Sequence, residues 1–169
     1  MSGWIHGLEP GATVGVRGAF GQCFYAPEES SEEQPERLLL VGAGTGLAPI
    51  LGIARDALDR GFPGAIDLIH GGLDPSRLYL RDELAELERQ APGLTVHHCV
   101  LRNASEHERT GALDEVAVEV AVEGGIPLGR SRAFLCGDDH IVRILQIALF
   151  LAGLPSKEIL ADPFSPASK

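Results

Sequence analysis

The stretch LLLVGAGTGLAP, residues 38–49, decides the fold. Its four leading apolar residues are typical of a strand buried on both faces of a parallel sheet. Gly42, Gly44 and Gly46 follow at alternate positions, and Pro49 opens an apolar-periodic stretch typical of a helix. A strand, a glycine turn and a helix in this order bring backbone amides to one helix N-terminus, which suits a phosphate. The glycines would allow a diphosphate to approach the main chain closely.

The same turn can also be only a tight connection between a strand and a helix. It departs from the dinucleotide fingerprint G-x-G-x-x-G/A, because Leu47 stands where the third small residue belongs. A lone pattern of this kind leaves both interpretations open, so the rest of the chain must decide between them.

The composition is that of an ordinary folded protein with one α/β domain and a small appendage. The chain has 169 residues, of which 44% are hydrophobic and 22% charged. The formal net charge of −10 argues against nucleic acid and anionic membranes as partners. Residues 144–154 are the longest apolar candidate and reach only about half the length that a bilayer requires. The N-terminus has neither the basic flank nor the apolar core of a secretory signal.

The cysteines and histidines predict neither a disulfide framework nor a metal site. Cys23, Cys99 and Cys136 are odd in number and far apart, which favours free thiols and a cytoplasmic location. No C-x₄-C-x₂-C run of a ferredoxin cluster is present in the sequence. His97 and His98 are adjacent in a predicted strand and therefore point to opposite faces. His97 and Cys99 share a face, but two ligands are too few for zinc.

Residues 1–25 differ from the rest of the chain. Residues 4–8 suggest a helical turn, residues 12–17 alternate as a strand does, and residues 23–25 suggest another short strand. Two such strands cannot bury a core alone, so we expect them to pack as an extra pair against the sheet edge or a partner chain. Residues 26–36 are acidic and rich in turn formers, as in a solvated linker.

From residue 37 onwards strand and helix signals alternate, which predicts an α/β fold. We expect a five-stranded parallel sheet of order 3-2-1-4-5 with helices on both faces. The predicted strands are residues 37–41, 66–70, 94–101, 133–136 and 159–161. The predicted helices are residues 49–60, 80–89, 113–122 and 140–151.

In such a sheet ligands bind beyond the carboxyl ends of the strands, at the switch point between its halves. The first predicted strand ends at the glycine turn, and the fourth ends at Cys136, Gly137, Asp138 and Asp139. The predicted order makes these two ends neighbours, so that a thiol, a hydroxyl and several amides surround one crevice. The two carboxylates have a simpler interpretation, which is to cap a helix beginning at His140.

Four motifs in sequence resemble the nucleotide-binding domain of the ferredoxin–NADP reductase superfamily, and the resemblance covers essentially the whole chain. GTGLAP at 44–49 is similar to that family's G-T-G-x-A-P. HGG at 70–72 with LYLRDEL at 78–84 resembles its HGxR…LYYxDEL segment. Cys136-Gly137 and DPF at 162–164 match a C-G pair after the fourth strand and an acidic-x-Phe near the C-terminus. The nearest resemblance is to NADH-dependent electron-transfer reductases of oxygenases.

The N-terminal piece resembles the end of that family's flavin-binding barrel, through LEPGATV at 8–14 and RGAFG at 17–21. Ser2 falls near the Ser/Thr of a flavin-phosphate motif, whereas the R-x-Y-S/T flavin motif is absent from this chain. The implied domains are a barrel remnant (1–25), an acidic linker (26–36) and an NAD(P)-binding domain (37–169). We therefore expect FAD only in a longer form of the protein, and whether Met1 is the native start stays open.

The resemblance implies an enzyme that passes hydride from NAD(P)H to FAD, and electrons on to an iron–sulfur centre, a ferredoxin or an oxygenase. The alternative is an orphan nucleotide-binding module that acts as a sensor or partner subunit. The implied catalytic residue is Cys136, facing the nicotinamide and flavin, although it is also typical of a small buried residue. Phe164 could cover a ring or belong to the core. The implied cofactor-binding residues are Gly44, Thr45, Gly46, Pro49, Gly71, Gly72, Arg102, Gly137, Asp138, Phe164 and Ser2.

The choice between the two nicotinamide cofactors depends on one loop. Arg102 stands where NADP-type members place an arginine for the 2′-phosphate, and Arg109 is nearby. Their K-x-Y partner motif is missing, because TGAL stands there at 110–113. A lone loop arginine is usually just solvated, so we expect NAD(H) rather than NADP(H). The oligomeric state is left open.

Overall fold

The computed structural model describes residues 2–18, 21–27 and 34–164. Within these ranges six parallel strands form one sheet of order β4-β3-β2-β1-β5-β6. The strands are β1 (Arg37–Ala43), β2 (Ala65–Gly72), β3 (Leu94–Val100), β4 (Arg109–Thr110), β5 (Ser131–Asp138) and β6 (Ile159–Phe164). The α-helices are α1 (Ser2–His6), α2 (Leu47–Asp59), α3 (Arg81–Gln90), α4 (Leu113–Glu123) and α5 (Asp139–Ala152).

Two apolar cores lie on opposite faces of the sheet, because successive residues of β1 point to opposite sides. Leu38 and Leu40 pack with apolar residues of α2 and α3. Leu39 and Val41 pack with apolar residues of α4 and α5. All seven residues of β1 are buried, as expected for a central strand covered on both sides. The predicted parallel sheet with helices on both faces is therefore confirmed.

The sheet has six strands rather than five. The additional strand, β4, has only two residues, and these pair with Cys99 and Val100 at the end of β3. Two residues are too short to carry a periodic signal, so the sequence pattern could not reveal this strand. Without β4, the order of the other five strands is β3-β2-β1-β5-β6. Numbered along the chain without β4, this is the predicted order 3-2-1-4-5.

The strands predicted at 12–17 and 23–25 are wrong, because both stretches are irregular in the structure. No β-ladder in the described residues includes them, so their alternating pattern has no backbone partner. Tyr25 is buried and Cys23 packs against the core on the α2 side, whereas Val16 is 90% exposed. Residues 28–33 of the predicted acidic linker lie outside the described residues.

Across the described ranges, every helix is too short or too polar to cross a membrane.

Candidate functional site

A crevice of about 820 Å³ opens at the carboxyl end of the sheet. It lies on the side covered by α4 and α5, since Leu113, Asp114, Ile141 and Ile144 form part of its wall. Six of the predicted cofactor-binding residues also line it: Gly44, Thr45, Gly71, Gly72, Asp138 and Phe164. Its volume is in the usual range of small-molecule sites, and its position is where parallel sheets bind ligands.

The glycine turn forms the floor of this crevice between β1 and α2. Gly44–Gly46 make one 3₁₀ turn, closed by the N–H of Leu47, which donates to the carbonyls of Gly44 and Thr45. Gly44 has φ +53°, and a Cβ there would meet open space, so the residue is glycine for its backbone conformation. Thr45 is exposed to the crevice. The positive end of α2 lies at this turn, because α2 begins at Leu47 directly after it. The N-cap residue of α2 has no capping side chain.

Gly46 is the closely packed residue of the glycine turn. It is buried and does not line the crevice. A Cβ at this position would overlap the carbonyl of Cys136 and lie 2.7 Å from the nitrogen of Gly137. The glycine is therefore required for packing of the turn against β5. Pro49 lies within the first turn of α2, which begins at Leu47, and it does not line the crevice either.

Gly71 and Gly72 lie at the end of β2 and line the next part of the crevice. A Cβ on Gly71 would lie 2.6 Å from a methyl carbon of Leu113, at the start of α4. A Cβ on Gly72 would lie 3.0 Å from a methyl carbon of Leu78. The lack of a Cβ at these positions thus lets Leu113 and Leu78 pack closely against the end of β2.

Cys136 lies on the other side of the sheet. Its side chain is fully buried in the core on the α2 side and does not line the crevice. The thiol donates to the carbonyl oxygen of Asp162 at 3.0 Å. Burial raises the pKa of this thiol to about 12, and the nearby charges of Asp162 and Cys23 act in the same direction. At neutral pH Cys136 is therefore a protonated, enclosed thiol.

The residues after Cys136 form the far wall of the crevice. The carboxylate of Asp138 accepts a hydrogen bond from the N–H of His140 at 3.0 Å, which confirms the capping interpretation. Gly137 has φ +153°, and a Cβ there would lie 2.7 Å from that of Ala43. Phe164 pairs with Asp138 in the sheet register, lines the crevice and is 40% exposed.

The arginine that lines the crevice is Arg77, which the sequence analysis missed. It ends the short 3₁₀ turn Pro75–Arg77 after β2. Arg102 instead lies outside the crevice lining, is 60% exposed, and approaches Asp74 at 4.0 Å. Hydrogen bonds from Ser76 are the main reason that the pKa of Asp74 is lowered. Arg77 ends the segment HGGLDPSR (70–77), which lies within the stretch that resembles HGxR…LYYxDEL. The arginine of that pattern was the signal that could have identified Arg77.

Tyr79 and His70 were also missed as site residues, although both belong to the HGG…LYLRDEL motif. The hydroxyl of Tyr79 donates to the carbonyl of Gly44 at 3.3 Å. The rings of Tyr79 and His70 meet edge-on, with centroids 5.2 Å apart. His70 is fully buried, and its two ring nitrogens find no hydrogen-bond partner among the described residues. Burial lowers the pKa of His70 to about 4, so its ring is neutral at pH 7.

Of the pair His97 and Cys99, Cys99 lines the crevice and His97 does not. His97 and Cys99 face the α4 side, where His97 contacts Asp67 at 2.9 Å and Cys99 donates to the carbonyl of Gly111. Among the residues that the structure describes, no group of three or more His, Cys, Asp or Glu could hold a metal ion. Ser2 begins α1, and its side chain lies outside the described part of the chain.

This arrangement of glycine turn, strand ends and crevice agrees with a comparison of the sequence with protein families. The family described as "Oxidoreductase NAD-binding domain" matches residues 40–146. The chain belongs to this family. The matched region contains the glycine turn, β2, β3 and β5, and therefore most of the crevice.

Curated relatives of this NAD-binding domain include reductase components of oxygenase systems. The ferredoxin–NAD(P)⁺ reductase component of the naphthalene 1,2-dioxygenase system from Pseudomonas putida is 31% identical over 94% of this chain and 46% of the relative. The reductase subunit of an aromatic O-demethylase from an Amycolatopsis species is 30% identical over 98% of this chain and 48% of the relative. The chain spans about half the length of the curated relatives it matches.

Solved structures agree with the NAD-binding domain fold. The Amycolatopsis cytochrome P450 reductase GcoB superposes with a TM-score of 0.78 at 28% identity, over 94% of this chain and 47% of that one. The cytochrome b5 reductase domain of Ulva prolifera nitrate reductase also gives a TM-score of 0.78, at 21% identity over 95% of this chain and 63% of that one. The second likeness is one of fold alone.

Proposed function

We propose that this domain binds NAD(P)H in the crevice and, within a longer flavoprotein, presents it to FAD, from which electrons pass to an iron–sulfur centre or oxygenase. The observation that carries the proposal is the continuity of the crevice from the Gly44–Thr45 turn to Gly71 and Gly72. The names of the relatives, which include reductase components of oxygenase systems, support the same function.

The crevice residues suit the parts of a dinucleotide in a definite order. The diphosphate fits at Gly44 and Thr45, where the positive end of α2 attracts an anion. The adenosine half fits across Gly71 and Gly72, which line the crevice at the end of β2. The nicotinamide half then points towards Phe164 at the end of β6.

Within this proposal the protein binds and orients the cofactors and excludes water, whereas nicotinamide and flavin supply the redox chemistry. Cys136 contributes as a positioning residue close to the nicotinamide end. Since its sulfur is enclosed against Asp162, contact with a ring requires the chain around Asp162 to move. The high pKa of the thiol, about 12, speaks against a role as a covalent nucleophile.

The N-terminal segment supports a flavin domain as the neighbour of this domain. Trp4, Val16 and Phe24 are 60%, 90% and 57% exposed, which is unusual for large apolar side chains so close together in sequence. A flavin-binding barrel packed on this segment would cover them. We propose that FAD is held mainly by that barrel, because the R-x-Y-S/T motif is absent from this chain.

We propose NADH as the preferred cofactor. Asp74, an acidic residue just beyond β2, has its pKa lowered further, mainly by hydrogen bonds from Ser76. Together with Asp114 in the crevice wall, it offsets the charges of Arg77 and Arg102, so that a 2′-phosphate gains little attraction.

The free thiols Cys23, Cys99 and Cys136 support a reducing compartment such as the cytoplasm.

A pair of threonine variants tests the proposal. Thr45→Asp places a negative charge at the turn where the diphosphate is expected, and an acidic residue near a helix N-terminus does not destabilise the fold. Thr95→Asp is the matched control, since Thr95 is exposed near the start of β3, at the opposite end of the sheet. Calorimetric titration should show at least about tenfold weaker NADH binding for Thr45→Asp only. Equal binding by the two variants would refute the site.

A further inference from the structure

The hydroxyl of Tyr79 connects the two ends of the glycine turn. It donates to the carbonyl of Gly44 at 3.3 Å and lies near the backbone N–H of Ala48, in the first turn of α2. The α2 N-cap residue, Gly46, has no side chain with which to cap the helix. The hydroxyl of Tyr79 therefore reaches the turn at the start of α2 from outside that helix.

The ring of Tyr79 is itself held by its surroundings. His70 meets it edge-on at 5.2 Å and 86° between ring planes, and His70 is fully buried. Leu78, the preceding residue, is 6% exposed and belongs to the buried apolar set. Leu80, the following residue, adopts φ +57°, a conformation that leucine rarely takes, as α3 begins. Although Tyr79 is 37% exposed, these contacts limit where its hydroxyl lies relative to the turn.

We propose that Tyr79 is a positioning residue for the diphosphate of the nucleotide, acting through the Gly44–Leu47 turn. Its hydroxyl keeps the Gly44 carbonyl turned away from the phosphate and holds the turn in its binding conformation before the ligand arrives. Such pre-organisation lowers the entropy that binding must otherwise supply. This inference rests on the proposed nucleotide site, but it assigns a role to a residue that does not line the crevice.

The test compares Tyr79→Phe with Tyr25→Phe, which removes the hydroxyl of the chain's other tyrosine. Tyr25 packs on Phe62 and lines no part of the crevice. Each variant of the full chain is titrated with NADH, ADP and adenosine. Tyr79→Phe should bind NADH and ADP about threefold to tenfold more weakly, the range expected for one lost hydrogen bond, and bind adenosine unchanged. Tyr25→Phe should leave all three affinities unchanged.

The possible outcomes separate this inference from the proposed function. If the unmodified chain binds neither NADH nor ADP, the nucleotide site itself is wrong. If it binds them and Tyr79→Phe binds equally well, the positioning role is wrong. An equal loss for all three ligands, adenosine included, would show a general structural effect and would also overturn the role.

A second measurement does not depend on the stability of Tyr79→Phe. In the Tyr25→Phe chain, 3-fluorotyrosine labels position 79 alone, so the ¹⁹F spectrum reports on this ring. NADH and ADP should shift its resonance, because the diphosphate contacts the turn that the hydroxyl holds, whereas adenosine should not. A ¹⁹F chemical shift that stays unchanged at saturating NADH and ADP would contradict the proposal.

Discussion

The main chain of Gly46 lies directly against the carbonyl group of Cys136, leaving no space for a Cβ at position 46. This contact exists because β1 and β5 are neighbours in register, with Gly42 opposite Cys136. The turn that follows β1 is thereby pressed onto the end of β5. The glycine turn of this domain is thus fixed as much by packing as by any need to approach a ligand.

Gly46→Ala should therefore destabilise the fold. The added methyl meets backbone atoms, which cannot move aside as a flexible side chain would, so we expect a loss of about 2–3 kcal/mol in the free energy of unfolding. Chemical denaturation measures it. Gly52→Ala is the matched control, because Gly52 lies within α2 with open space around it and should gain about 0.5–1 kcal/mol. Similar midpoints for Gly46→Ala and the unmodified chain would disprove the packing role.

The sequence predicted the fold well where the signal is local. The apolar run of β1, the glycine turn and the periodic helices each carry their own pattern, and the adjacency of the first and fourth predicted strands follows from a general rule of parallel sheets. The two-residue β4 depends on pairing with β3, which no local pattern reports. Residues 12–18 have an alternating sequence but are irregular, because no strand among the described residues pairs with them.

The structure brings some of the predicted cofactor-binding residues together and leaves others apart. Gly44, Thr45, Gly71 and Gly72 do line one crevice. Which face Cys136 occupies depends on the register of β5, and one residue of register moves a side chain to the other side of the sheet. The presence of Arg77 in the wall and the exclusion of Arg102 depend on loop geometry in the same way.

Asp74→Asn should raise the affinity for NADPH relative to NADH. The amide keeps a polar group of the same size but removes the charge that offsets Arg102 and Arg77, so we expect about a threefold to tenfold change in the ratio of dissociation constants. Asp59→Asn, at the distant end of α2, is the control for a change in net charge. Titration of each variant with both cofactors gives the ratio, and an unchanged ratio would remove Asp74 from the account of cofactor choice.

Acid should destabilise the domain through His70. Its pKa is near 4 in the folded chain and near 6.5 when unfolded, so the unfolded state takes up the proton first as the pH falls. The contribution of neutral His70 to stability is complete above pH 6.5 and is lost between pH 6.5 and about 4, by an amount on the order of 3 kcal/mol.

His70→Leu tests this pH dependence. Since neither ring nitrogen is hydrogen-bonded to the described residues, leucine removes no bond and should keep the fold at pH 7. The unfolding free energy, measured from pH 7 to 4, should fall less steeply than in the unmodified chain. Part of the slope should remain, because burial also lowers the pKa of His98. His140→Leu, on the exposed side of α5, serves as the control, and equal slopes in all three chains would exclude His70 as the source.

The three thiols should react slowly in the folded chain. Burial raises the pKa of Cys23 and Cys99 to about 11 and that of Cys136 to about 12, so that almost no thiolate is present at pH 8. The reaction can be followed with a disulfide reagent that releases a coloured thiolate. The folded chain in buffer should react slowly, whereas the chain unfolded in guanidinium should react rapidly at all three thiols. One rapid equivalent from the folded chain, mapped to Cys136 by peptide analysis, would show that this thiol is accessible and activated.

The most direct test of the nucleotide site is a titration of the ¹⁵N-labelled chain with NADH, followed through its backbone amide resonances. Binding should produce saturable shifts at the crevice, above all at Gly44, Thr45, Gly71, Gly72 and Leu113, with the amides at the opposite end of the sheet unchanged. No saturable change at millimolar NADH or NADPH, or changes confined to residues outside the crevice, would show that the nucleotide does not bind there.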